Sequence, residues 1–134
     1  MTTTQGYTFS KEERLSWKRY IDLLFAQGQS FVAFPLRVIF LFLDEPPFGE
    51  PLSARSSTLI SVSKKKFKRA VKRNRIKRQI RETYRVRKPE LITSLEAKDK
   101  HLLVAFLYLD NEFHTFPQME KAMSKAIRIL REKI

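Results

Sequence analysis

The sequence predicts an α+β fold, a single-domain α/β sandwich over residues 1–134 ordered helix, strand, strand, (strand), helix, strand, helix. Three observations carry that prediction. The runs 35–43 and 101–109 are apolar, β-branched and aromatic enough to be strands buried on both faces. The stretch 64–88 is intensely basic and contains neither Gly nor Pro. The C-terminal segment repeats apolar residues at helical spacing behind a capping signal. Interleaved elements of this kind pack helices onto a sheet. At 43% hydrophobic and 12% aromatic residues the chain can bury a core, and it is too apolar for a basic disordered tail.

Taken in order, residues 1–8 are polar and are expected to be flexible. Ser10-Lys-Glu-Glu13 has the form of a capping box, opening a helix to about Ala26 with Leu15, Ile21, Leu24 and Phe25 as its apolar face and Gly28 as its stop. Pro35–Leu43 reads as a central strand. Residues 44–57, with three prolines and Gly49, read as a flexible loop that has room for one extra strand. Thr58–Ser63 alternates as a second strand, Ile60 and Val62 inward and Ser61 and Ser63 outward. The basic helix follows and is expected to end at Pro89, because the residue before a proline avoids helical geometry. His101–Leu109 is the next strand. Thr115-Phe-Pro-Gln118 caps a last helix lined by Met119, Met123, Ala126, Ile127, Leu130 and Ile134.

The charge is concentrated. Residues 64–88 hold 14 Lys or Arg against one acid, Glu82, which equals the +13 of the whole chain; the other 109 residues balance 13 basic against 13 acidic side chains. On a helix, Ile76, Ile80 and Tyr84 form an apolar stripe with Thr83 beside it. Asn74, Arg78, Arg81 and Arg85 fall on roughly the opposite side, flanked by Arg75 and Lys77. Guanidinium forks bind phosphate oxygens in bidentate fashion, and an Asn can donate and accept at a sugar or base edge. A solvated surface helix is the competing reading, but such helices mix signs so that i,i+4 pairs attract. Lys64-Lys65-Lys66 adds charge where the second strand meets the helix.

Other chemistry finds no support. There is no cysteine for a disulfide or thiolate site, consistent with a reducing compartment. His101 and His114 are read as lacking a ligand partner at useful spacing, and Asp44, Glu45, Asp110 and Glu112 as loop acids. No signal peptide pattern and no membrane-length apolar run is present, so a soluble, cytoplasmic protein without a membrane partner is expected. No catalytic residues, no metal site and no cofactor held by protein side chains are expected.

The run Lys64-Lys65-Lys66-Phe67-Lys68-Arg69-Ala70-Val71-Lys72-Arg73-Asn74-Arg75-Ile76-Lys77-Arg78-Gln79-Ile80-Arg81-Glu82 resembles the signature of the bacterial ribonuclease P protein subunit. That family carries a strand ending in Ser-Lys-Lys, then Ala-Val, Arg-Asn-Arg-x-Lys-Arg and Arg-Glu. The Arg14-Leu15 helix leading to Leu24-Phe25-x-x-Gly28, the Pro35-Leu36-Arg37-Val38 strand and the closing strand and helix extend the likeness over nearly the whole chain. The resemblance implies a left-handed βαβ crossover. It also implies a ribonucleoprotein endoribonuclease that removes the 5′ leader from precursor tRNA, with an RNA subunit supplying the active site and its Mg²⁺ ions.

The partners so implied are the catalytic RNA and precursor tRNA, with no protein partner required. Lys64, Lys65, Lys66, Lys68, Arg69, Arg73, Asn74, Arg75, Lys77, Arg78, Arg81 and Arg85 would contact the catalytic RNA. Phe25, Phe40 and Phe42 would line a leader cleft between sheet and first helix, core packing being the rival reading for each. The alternative function is a ribosomal or assembly RNA-binding protein with no role in tRNA processing.

Overall fold

A computed structural model describes residues 18–45 and 55–134. The elements are α1 (Lys18–Gln27), β1 (Gln29–Ala33), β2 (Leu36–Leu43), β3 (Ser56–Ser61), α2 (Ala70–Ala97), β4 (His101–Tyr108) and α3 (Phe116–Lys133). The expected capping box at Ser10–Glu13, the Leu15 position, and residues 1–8 and 46–54 lie outside the described residues.

The sheet has the order β1-β2-β4-β3. β2 pairs antiparallel with β1 and β4, and β3 pairs parallel with β4, so β3-α2-β4 is a parallel βαβ unit. Strand alternation splits the core in two. Leu36, Val38, Phe40, Leu102, Val104 and Phe106 point to one face, where α2 contributes Ile76, Ile80, Tyr84, Leu91 and Leu95 and α3 contributes Met119, Met123, Ile127 and Leu130. Leu103 and Ala105 point to the other face with Ile39, Leu41 and Leu43, under Tyr20 and Leu24 of α1. Burial of β4 on both faces is what its unbroken apolar run requires. The capping box at α3 forms in both directions: Gln118 N donates to Thr115 Oγ1 at 3.3 Å, and Thr115 N donates to Gln118 Oε1 at 2.9 Å.

Four expectations are corrected. Residues 29–33, where no strand is expected, form β1 before the Phe34–Pro35 turn; the antiparallel edge of β2 selects it, although Gln29 and Ser30 are poor strand formers. Most of the 44–57 stretch that had room for a further strand lies outside the described residues. β3 begins at Ser56, two residues earlier than expected. Its Ser56, Ser57 and Thr58 are buried, and Ser56 Oγ meets the Tyr84 hydroxyl at 2.7 Å, which supplies the partner a buried hydroxyl needs. Pro89 does not end α2, which continues to Ala97. Burial of Leu91 and Leu95 against α3 outweighs one missing amide, and the Thr93 hydroxyl donates to Pro89 O at 2.9 Å. Finally, Phe25 is half exposed and Tyr20 takes the buried place on α1.

α1 does stop at Gly28, whose amide donates to Leu24 O at 2.8 Å. A Cβ at this position would sit 2.4 Å from Leu24 O and 3.1 Å from Phe40 O, so only glycine fits between helix end and sheet.

Candidate nucleic-acid interface

The basic helix is seated by its apolar stripe. Ile76, Ile80 and Tyr84 are completely buried and Thr83 nearly so, while Asn74, Arg78 and Arg81 are exposed on the far side. Tyr84 packs on Phe106 of β4 with ring centroids 5.3 Å apart and the rings tilted by 56°. The cationic face is therefore mounted on a rigid floor, and little backbone conformational entropy remains to be lost when an anion binds it. Arg85 differs from its neighbours. Its guanidinium donates to both carboxylate oxygens of Glu82, at 3.2 and 2.5 Å, so its charge is already partnered. Arg85 in turn holds the Glu82 carboxyl below the usual range.

At the helix entrance, Lys64, Lys65 and Lys66 occupy a turn after β3, Lys68 and Arg69 are exposed, and Arg69 is the N-cap residue. Arg73 is turned inward to this loop. Its Nη1 donates to Phe67 O and Lys68 O, both at 2.8 Å. Lys66 Nζ donates to Leu109 O across the entrance. Lys77 is half-buried on the flank of the helix.

The connection between β4 and α3 packs against this end of α2. Phe113 lies 5.5 Å from the Phe67 ring, and the Arg75 guanidinium sits 4.7 Å from the Phe113 centroid. Gln79 Nε2 donates to His114 O at 3.3 Å. Against expectation, His114 does have an acidic partner: its Nε2 lies 2.7 Å from Asp110 Oδ2, one helical turn back in sequence, because the loop folds over itself. The His114 imidazole holds the Asp110 carboxyl below the usual range. Burial, with a contribution from the Asp110 carboxylate, pushes the Tyr108 phenol up to about 12, and its hydroxyl donates to Glu112 O at 2.5 Å. Among the described residues no three His, Asp or Glu side chains converge as a metal site would require.

The aromatic residues expected to share one cleft do not. Phe25 is on α1, whereas Phe40 is buried in the core on the opposite face of the sheet and Phe42 packs against that same core, 5.6 Å from Phe40. Alternation along β2 decides this: the odd residues Ile39, Leu41 and Leu43 face α1, so the even ones cannot. The α1 face instead presents exposed Ser30, Val32 and Arg37 toward its β1 edge. Sequence reasoning also passed over Lys72 and Phe113, which border the helix entrance. Phe113 could have been noticed as a lone aromatic inside the polar stretch Asp110-Asn-Glu-Phe-His114.

A sequence model of the family described as Ribonuclease P matches residues 9–131. A ribonuclease P protein component from Porphyromonas gingivalis is 39% identical over 127 residues, covering 95% of this chain and 89% of its own length. One from Chlorobium phaeobacteroides is 31% identical over 128 residues, covering 90% and 84%. Among solved structures, the RNase P protein from Thermotoga maritima has a TM-score of 0.64 at 23% identity, covering 87% of this chain and 96% of that one. The Staphylococcus aureus RNase P protein has a TM-score of 0.63 at 23% identity, covering 87% and 94%. These two structures share the fold.

Proposed function

Because this chain belongs to the ribonuclease P protein family, we propose that it holds the 5′ leader of precursor tRNA against the catalytic RNA and so assists removal of that leader. Its role as the protein subunit of a ribonucleoprotein endoribonuclease, partnered by an RNA subunit that is no part of the chain, follows from family membership. The ribosomal alternative draws no support from the relatives described above.

The observation that carries the reading is the exposed row of Asn74, Arg78 and Arg81 over a fully buried Ile76, Ile80 and Tyr84. We assign that row, with Lys64, Lys65, Lys68, Arg69 and Arg75, to the RNA subunit. Arg73 and Arg85 serve the same surface indirectly, one through the entrance loop and the other beside Glu82. The leader is assigned to the α1 face of the sheet, where Phe25 and Arg37 are exposed; a base stacked on an aromatic ring is worth roughly 1–3 kcal/mol.

Substrate and RNA subunit are both polyanions. A cationic helix between them offsets their repulsion and lowers the Mg²⁺ concentration that tight binding requires. We place those ions with the RNA, since the side chains that converge on this surface are cationic and repel a metal ion. We propose that the assembled particle works in the cytoplasm. No helix among the described residues is long and apolar enough to cross a membrane.

Adding the purified chain to ribonuclease P RNA and labelled precursor tRNA at low Mg²⁺ should release the leader where RNA alone does not. No stimulation at any protein concentration would overturn the assignment.

A further inference from the structure

We infer that Phe113 and Arg75 together seat one unpaired base of the RNA subunit, while the phosphates flanking that base lie on Lys68, Arg69 and Lys72; this rests on the function proposed above. The seat stands beside the Asn74, Arg78 and Arg81 row: Phe113 comes from the connection between β4 and α3, and Arg75, the last residue of the Arg-Asn-Arg triplet, from the flank of α2 that meets it.

Four observations converge. Phe113 is 37% exposed although it stands in a polar loop, and its ring is braced from below by the buried Phe67. Arg75 lies against that ring, and an arginine paired with an aromatic ring is a surface on which a base can stack. Lys68, Arg69 and Lys72 surround the depression beside it, are exposed, and make no ion pair among the described residues. Against them stands one carboxylate on the same rim, Glu112.

The loop is also fixed in place from several directions. Asp110 holds His114, Tyr108 holds Glu112 O, Gln79 holds His114 O and Lys66 reaches Leu109 O. Lys72, Arg75 and Gln79 lie at i, i+3 and i+7 on α2 and so share the flank that meets this loop. A paired helix shows a protein its backbone and base edges, not the face of a base, so an aromatic seat of this kind selects an unpaired nucleotide. Asn111, on the same rim, can donate and accept at the edge of that base.

The test is binding of the ribonuclease P RNA by the full chain and its variants over a range of KCl concentrations. Phe113→Leu should weaken binding roughly 5- to 30-fold with the salt slope unchanged, because a stacking contact is lost and no phosphate contact. Phe113→Trp should retain affinity. Lys72→Gln should make the slope shallower by about one. Should Phe113→Leu fail to fold by thermal melting, photocrosslinking from p-benzoylphenylalanine at position 113 decides: a link to an unpaired nucleotide supports the seat, and a link to paired RNA or none overturns it. Wild-type affinity in Phe113→Leu would likewise overturn it. Failure of the wild-type chain to bind the RNA would instead reject the function on which the seat rests.

Discussion

Arg73 and Phe67 are joined by a side chain-to-backbone hydrogen bond: the guanidinium donates to Phe67 O at 2.8 Å, and the same nitrogen reaches Lys68 O. The first arginine of the Arg-Asn-Arg triplet thus folds back over the entrance to α2, while Asn74 and Arg75 remain exposed. One residue of the basic motif is spent on the shape of the surface that the others present.

Arg73→Gln should accordingly cost roughly 1.5–3 kcal/mol of stability, the range for hydrogen bonds that involve a charged group. Arg78→Gln, on the exposed row, should stay within about 0.5 kcal/mol of wild type. Urea denaturation of the two variants separates them, and equal midpoints would refute the brace.

The double charge reversal Arg78→Glu with Arg81→Glu should do the opposite. It should leave the melting temperature near that of wild type, weaken binding of the RNA subunit by roughly 100-fold or more, and raise the Mg²⁺ needed for leader removal. With roughly five phosphates neutralised, the wild-type log–log salt slope should be of order −4, and the variant's should be shallower by about two. Filter binding at several salt concentrations gives both numbers.

Gly28→Ala should destabilise the fold by roughly 1–3 kcal/mol, the usual cost of forcing an extra carbon into a packed position. The new Cβ would lie 2.4 Å from Leu24 O, the acceptor that closes α1, and 3.0 Å from Ile39 Cγ2 on the sheet. Chemical denaturation checks this, and a neutral result would mean that the end of α1 can move off β2.

Two groups in the β4–α3 connection make stability depend on pH in opposite limbs. Asp110 has a carboxyl lowered from 3.8 by its bond to His114, so its contribution is present above pH 3.8 and is lost as pH falls through the lower folded value. Asp110→Asn should flatten the acid limb of a melting-temperature profile below about pH 4. Tyr108 is raised from 10.0 to about 12, so its contribution is present below pH 10.0 and is lost as pH rises toward 12. Tyr108→Phe should flatten that alkaline limb. Profiles parallel to wild type would show that neither group is linked to folding.

Much of this molecule could be read from its residues. The apolar runs of β2, interrupted only by Arg37, and of β4, the reciprocal cap of Thr115 and Gln118, the stop at Gly28 and the buried stripe of Ile76, Ile80 and Tyr84 are local matters, set by periodicity and by side-chain chemistry within a few residues. The density of Lys and Arg in 64–88 marked the face we assign to nucleic acid for the same reason.

Other features depend on partners distant in sequence. β1 exists because β2 offers an edge to pair with, and α2 passes Pro89 because α3 covers Leu91 and Leu95. The turning of Arg73 toward Phe67 O, the meeting of Arg75 with Phe113 and the burial of Phe40 away from Phe25 are likewise contacts between groups that local patterns leave unpaired. Charge and periodicity determined which segment we assign to the RNA. Tertiary packing decided which of its side chains are free to reach it, because burial and hydrogen bonding take some cations for the fold and leave others to solvent.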